Sequence, residues 1–171
     1  KLIKRNCFKM RLQDDNHVKI MFRFYNKVLE EETVETVWAI TVSSDSNLYR
    51  LDSIPFYIPS IAVGDIFSAE YYEKEKMLVY QEIVEFSGNS TIQIVVMTKS
   101  VDTNQIRNLF KNLGCTSEKL HERYFSMLIP FSINYRTIKE KLEDLKRKEI
   151  IDYAESCLAD VHRQSIDDSS K

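Results

Sequence analysis

A thiol nucleophile or an imidazole base could come from only six residues in this chain: Cys7, Cys115, Cys157, His17, His121 and His162. No HExxH occurs and no two histidines stand at ligand spacing, so no metal centre is expected. The cysteines lie far apart with no CxxC, which argues against a zinc site and a disulfide framework. His121 stands six residues after Cys115. A catalytic cysteine needs a base and surroundings that lower its pKa. Cys115 follows Gly114 at a predicted helix end, and His121 could lie across the next hairpin. A buried structural thiol is the favoured reading of Cys115, and of Cys157 beside Leu158. An enzyme using Cys115 and His121 requires the two within hydrogen-bond reach.

Other polar groupings are weighed the same way. Ser87-Gly88-Asn89-Ser90-Thr91 is short and polar, but it has neither GxxxxGK[ST] nor GxGxxG spacing. It reads as a hinge whose hydroxyls satisfy local backbone groups. Asn89-Ser90-Thr91 also matches a glycosylation sequon, which we read as coincidence because no secretory signal is visible. Glu30-Glu31-Glu32 with Glu35 reads as solvated surface. Glu70, Glu73 and Glu75 differ, because Tyr71 and Tyr72 lie among them. Tyrosine is enriched at interface hot spots, and carboxylates around it would steer a basic partner. A charged edge strand that resists aggregation is the competing reading.

Composition bounds the rest. The 171 residues are 43% hydrophobic and 29% charged, with a formal charge of −2, as in an ordinary globular protein. Residues 1–86 carry 11 Lys+Arg against 14 Asp+Glu, and residues 87–171 carry 13 against 12. Neither half is basic enough to suggest a nucleic-acid partner. No apolar run approaches the ~20 residues of a membrane helix. Free cysteines fit a reducing compartment, so a cytoplasmic location is expected. The chain begins at Lys1 rather than Met, and a preceding piece is expected.

Val18–Tyr25 and Thr33–Val42 are rich in β-branched and aromatic residues and are predicted strands. Leu48–Asp52 pairs back through an Asp45–Asn47 turn, and Ile66–Glu73 and Met77–Phe86 form a hairpin through Lys74–Lys76. The second half begins with a strand over Ser90–Met97. A helix follows over Asp102–Gly114, with Ile106, Leu109, Phe110 and Leu113 on one stripe, a cap at Asp102 and a stop at Gly114. Strands over Thr116–Glu122 and Arg123–Pro130 precede a helix capped by Asn134, whose last turn carries Lys146, Arg147 and Lys148. Glu149–Leu158 has helical spacing, but a βαββαβ unit needs a final strand, placed at Ile150–Ala154. From Arg163 the chain is polar and is expected to fray. The fold class is α+β: an N-terminal antiparallel β-sheet or small barrel (1–86), a ferredoxin-like βαββαβ unit (87–160) and a polar tail (161–171).

The segment Arg50–Ile66, RLDSIPFYIPSIAVGDI, holds two of the three prolines and one of the three glycines. Pro55 and Pro59 fix φ and cannot donate to a ladder, and Gly64-Asp65 offers a turn. Ile54, Phe56, Ile58, Ile61, Ala62 and Val63 are too apolar for a solvated loop. The favoured reading is a stiff crossover that packs back on the sheet and fills the core. The sharper one is a rigid loop presenting Phe56 and Tyr57 to a ligand.

LDSIPFYIPSIAVGDIFSAE, VEFSGNSTIQIVV and IRNLFKNLGC together resemble a bacterial family catalogued as domain of unknown function number four-two-six-five. Its pattern is LDNIPF, A-x-GD, SGHST and LGC. The resemblance runs from about Lys19 to Leu158. Ser53 stands where the pattern has Asn, and Asn89 where it has His, so any chemistry of that His would be lost here. The resemblance implies fold boundaries and no activity.

The function expected is non-catalytic protein binding. Its most concrete form is an immunity protein that plugs a co-encoded bacterial toxin, a basic nuclease suiting the acidic N-terminal half, through Glu70, Tyr71, Tyr72, Glu73 and Glu75. The alternative is a small-molecule sensor with a cleft between the halves at Phe56, Tyr57, Ser87, Asn89 and Thr91. No cofactor is expected. STIQIVVM has no aromatic and RYFSML no glycine, so neither is an RNA-reading strand.

Overall fold

The computed structural model describes residues 16–26 and 30–167; Cys7 and the first residues of the chain lie outside them. Five strands, β1 (His17–Asn26), β2 (Glu31–Ser43), β3 (Leu48–Leu51), β4 (Ile66–Tyr72) and β5 (Met77–Glu85), close into a barrel. Successive strands are antiparallel, and the barrel shuts where β1 runs parallel to β5 at Ile20↔Leu78 and Met21↔Val79. Alternation along each strand dictates the interior. Ile20 and Phe22 of β1 face in with Val37 and Ala39 of β2, and Phe67 and Ala69 of β4 join them. Phe22 meets Phe67 edge-on at 5.1 Å and stacks on Tyr80 at 4.4 Å, so aromatic pairs fill the barrel.

The second half follows as β6 (Ser90–Val96), α1 (Thr103–Lys111), β7 (Thr116–His121), β8 (Tyr124–Ile129), α2 (Tyr135–Arg147), β9 (Ile151–Cys157) and α3 (Asp160–Asp167). Its sheet order is β7-β8-β6-β9, all antiparallel, the arrangement of a ferredoxin-like unit. Both helices begin as their sequences dictate: the side chains of Asp102 and Asn134 accept from the amides two residues on. Their apolar stripes, Ile106 and Phe110 of α1 and Ile138, Leu142 and Leu145 of α2, pack with Ile92, Ile94, Val96, Phe125, Met127 and Ile129 in one core. Gly114 ends α1 at φ +94°, where a Cβ would stand 2.7 Å from Ile133 Cδ1, so two constraints demand glycine.

The strand expected at Ile150–Ala154 is present and runs on to Cys157, because its pairing with β6 completes the sheet. One expectation changes. The segment expected to fray from Arg163 is instead helix through Asp167. Burial of His162 and a guanidinium bond from Arg136 to the Ser165 carbonyl, at 2.9 and 3.1 Å, hold it. The sequence hid this because Val161 is exposed while the polar neighbour His162 faces in.

Candidate functional site

β6 and β8 turn Ile92, Ile94, Phe125 and Met127 towards the helices, so Thr91, Tyr124 and Ser126 fall on the opposite face. Residues 52–65 cross that face as a strap. Its apolar side chains point back: Ile58 and Ile61 are 3% and 1% exposed within the barrel core, as the crossover reading requires. Its carbonyls point the other way. Tyr124 OH donates to the Phe56 carbonyl, Ser126 Oγ to that of Pro55 at 2.7 Å, and Thr91 Oγ1 to that of Ile61 at 3.1 Å. Ser60 N donates to the Ser156 carbonyl of β9 at 2.8 Å. Tyr57 stacks on Tyr124, with centroids 5.6 Å apart, and burial pushes the Tyr124 phenol well up. Backbone in this position has no ladder partner, and the sheet's hydroxyls satisfy it instead.

Glu35 fixes the strap from the barrel side. It shares the inward face of β2 with Val37 and Ala39. Its carboxylate accepts three consecutive amides: Phe56 N at 2.7 Å, Tyr57 N at 2.8 Å and Ile58 N at 3.0 Å. The expectation that Glu35 belongs to a solvated acidic run fails here. The signal was its place on the core-facing side of the alternation.

A second knot lies at the other end of the strap. Asp65, 1% exposed, accepts from Ala62 N at 2.8 Å, and from Ser87 N and Ser87 Oγ at 2.7 Å each. Asn89 donates from Nδ2 to the Val63 carbonyl at 2.8 Å and accepts at Oδ1 from Phe131 N at 2.9 Å. Gly64 and Gly88 turn the chain there at φ +92° and +79°. The Ser87 hydroxyl accepts from Asn89 N at 3.2 Å, a local bond as expected of a hinge, but it also donates to Asp65, 22 residues away, and Thr91 Oγ1 donates 30 residues away. Asn89 and the fully buried Thr91 hold the halves together.

The five residues expected to form a ligand cleft therefore divide into two places. Phe56 and Tyr57 lie by Tyr124; Ser87, Asn89 and Thr91 lie by Asp65 and the strap's last carbonyls. The polar side-chain atoms of the second group are all engaged within the chain. Sequence reasoning missed Glu35, Asp65, Tyr124 and Ser126.

The acidic hairpin is different. Tyr71 and Tyr72 are 57% and 42% exposed at the end of β4, and Glu70 and Glu73 beside them are exposed. Among the described residues, no side-chain hydrogen bond or ion pair engages these four. Glu75 is half-buried and its Oε1 binds the Arg23 guanidinium, so it belongs to the barrel more than to the free surface. Beside Glu70 a recess of about 400 Å³ is lined by Ser46, Asn47, Ser68, Gln81 and Glu82, with no cation in its wall.

The thiol and imidazole candidates do not converge. Cys115 is 2% exposed in the second core, and burial pushes its thiol up to about 12, away from thiolate character. His121 stands at the far end of β7, six residues on, roughly 20 Å away at the ~3.3 Å rise of a strand. The two cannot form a dyad. Burial pushes Cys157 up to about 11. His17 pairs with Asp52 at 2.9 Å on the surface. Among the described residues no three His, Cys, Asp or Glu are grouped to hold a metal, and no helix is long and apolar enough to cross a membrane.

The family model of a domain of unknown function, DUF4265, matches residues 35–153, a span that starts at Glu35 and contains the strap and both knots. A solved structure of a hypothetical protein from Neisseria gonorrhoeae is similar over 83% of this chain and 95% of that one, with a TM-score of 0.73 and 24% identity. That likeness is one of fold. None of the curated proteins matches.

Proposed function

We propose that this chain, which belongs to the DUF4265 family, is a non-catalytic protein-binding protein that meets a basic partner through Glu70, Tyr71, Tyr72 and Glu73. The observation that carries the reading is the adjacent exposed pair Tyr71 and Tyr72, flanked by carboxylates with no internal partner among the described residues. The residues of the strap and its knots are spent on holding the fold; the side chains of Glu70, Tyr71, Tyr72 and Glu73 are not, among the described residues. Rigid aromatics supply contact area at low entropic cost, and the carboxylates around them steer a cationic surface. The most specific form of the reading is an immunity protein that occludes a co-encoded nuclease-type toxin.

The test is co-expression with the protein of the neighbouring reading frame, followed by titration of the purified partner and assay of its nuclease activity. A 1:1 complex that silences the nuclease is expected. Tyr72→Ala should weaken it by roughly 30-fold, the equivalent of about 2 kcal/mol. The double reversal Glu70→Lys, Glu73→Lys should slow association and flatten its salt dependence. Full affinity in both variants would remove the hairpin from the interface. A nuclease left active in the complex would end the immunity reading.

A further inference from the structure

We propose that α3 is an acid-released latch, with His162 as its trigger. His162 is 1% exposed and Ser90 0%. The ring's Nδ1 lies 2.6 Å from Ser90 Oγ, and its Nε2 lies 3.2 Å from the Pro130 carbonyl. Ser90 Oγ also accepts from Ala159 N at 2.9 Å. These contacts fix the proton inventory. A carbonyl only accepts, so Nε2 carries the ring proton. Nδ1 is then the lone-pair nitrogen and accepts from the Ser90 hydroxyl. Every group is satisfied only while the ring is neutral.

A second proton, on Nδ1, puts two donors face to face across the 2.6 Å contact, unless the Ser90 hydroxyl turns away and loses its acceptor. Among the described residues the surroundings offer the new charge no counter-ion. On α3 itself, Asp160 is solvent-exposed and stands 3.9 Å from Arg163. From α2, the Tyr135 ring packs at 5.6 Å, and the Arg136 guanidinium is a second cation on the same helix. Glu155 of β9 is shared between Tyr135 OH at 2.6 Å and Lys139 at 2.7 Å. Near the end of β9, Cys157 keeps its proton, and Asp65 is committed to Ala62 and Ser87. Burial holds the ring below the ordinary histidine value, outweighing the carbonyls of Pro130 and Ile133, which favour the charged form.

The direction of the linkage follows. A histidine with a lowered folded pKa stabilises the docked state fully above the unfolded value, about 6.5. That contribution is lost as pH falls from there towards the folded value, so the opening constant of α3 rises about tenfold per pH unit across the window. As the last described element, α3 pairs with no strand and can leave without breaking a sheet. Its departure uncovers Ser90 and the part of the core on which Ile166 packs.

The experiment is backbone NMR of the full chain, with hydrogen exchange of the amides of 160–167 followed from pH 7 to pH 4.5 and corrected for intrinsic rates. The expected result is an opening constant rising about tenfold per unit below pH 6.5, with the β6 and β8 amides unchanged. His162→Gln supplies one donor and one acceptor and does not titrate, so its profile should be flat. Equal pH dependence in wild type and His162→Gln, or none in wild type, overturns the proposal. Should His162→Gln fail to dock at neutral pH, the ring carbon shifts of wild type decide. Titration concurrent with α3 opening supports the latch, and a ring titrating at or above 6.5 with α3 still docked overturns it.

Discussion

Replacing Glu35 with alanine tests whether the strap is held as its geometry requires. The substitution strips a carboxylate from three amides at 2.7, 2.8 and 3.0 Å. Tyr57 N is exposed, so water replaces the carboxylate there at little cost. Phe56 N and Ile58 N are partly buried. Each left without a partner costs about 1–3 kcal/mol, so the pair should cost roughly 3 kcal/mol, after allowance for some water entry. For a chain of this length that is a fall in Tm of about 6–12 °C. Glu35→Gln keeps one acceptor oxygen but turns an amide group towards the same donors, and should lose about half as much. Urea unfolding followed through the single tryptophan, Trp38, three positions along β2 from Glu35, gives the free energy. A lower midpoint at unchanged slope is the expected signature. A loss in Glu35→Ala below ~0.5 kcal/mol, the range of an ordinary surface change, would refute the claim that the carboxylate anchors the strap.

Two further outcomes are expected. Gly114→Ala should destabilise by roughly 1–3 kcal/mol, from left-handed backbone at φ +94° and the 2.7 Å approach to Ile133 Cδ1. Adding Ile133→Val should recover the steric part in urea melts, and equal stability of Gly114→Ala and wild type would contradict both constraints. Cys115, with its thiol pushed up to about 12, should resist iodoacetamide at pH 8 in the folded chain and react once urea unfolds it. Rapid native alkylation at that position would show it accessible.

Much of the fold was legible because local rules and tertiary needs agreed. Asp102 and Asn134 cap the helices where the cap pattern placed them, and the β-branched and aromatic runs at Val18–Tyr25 and Thr33–Val42 are strands. Where the two conflicted, the sheet won: the residues from Ile150 have helical spacing, yet the open edge of β6 takes them as a strand. Barrel closure was not legible, since a parallel β1–β5 contact leaves no turn residues between its partners. The candidate site was legible only at the hairpin, where exposed tyrosine among carboxylates is a surface statement readable from composition. The roles of Glu35, Asp65, Ser87, Asn89 and Thr91 depend mainly on partners 21 to 42 residues away, which local spacing does not reveal. The family pattern around Asp65 and Asn89 therefore marks a joint between two sheets in this chain. Asn89 spans that joint by donating to one half and accepting from the other.

The strap has a consequence for how the chain emerges from the ribosome. Its carbonyls find their donors at Tyr124 and Ser126, 68 and 71 residues downstream. At synthesis rates of ~5–20 residues per second, the barrel strands are complete for several seconds before those hydroxyls exist. Throughout that interval the Pro55 and Phe56 carbonyls have water instead, and the sheet face that will receive them has not formed. Only when β8 joins β6 does the strap acquire its second surface. The proline-bearing strap is thus the last of the N-terminal half to reach its final environment, and the first half's folding is finished by the second.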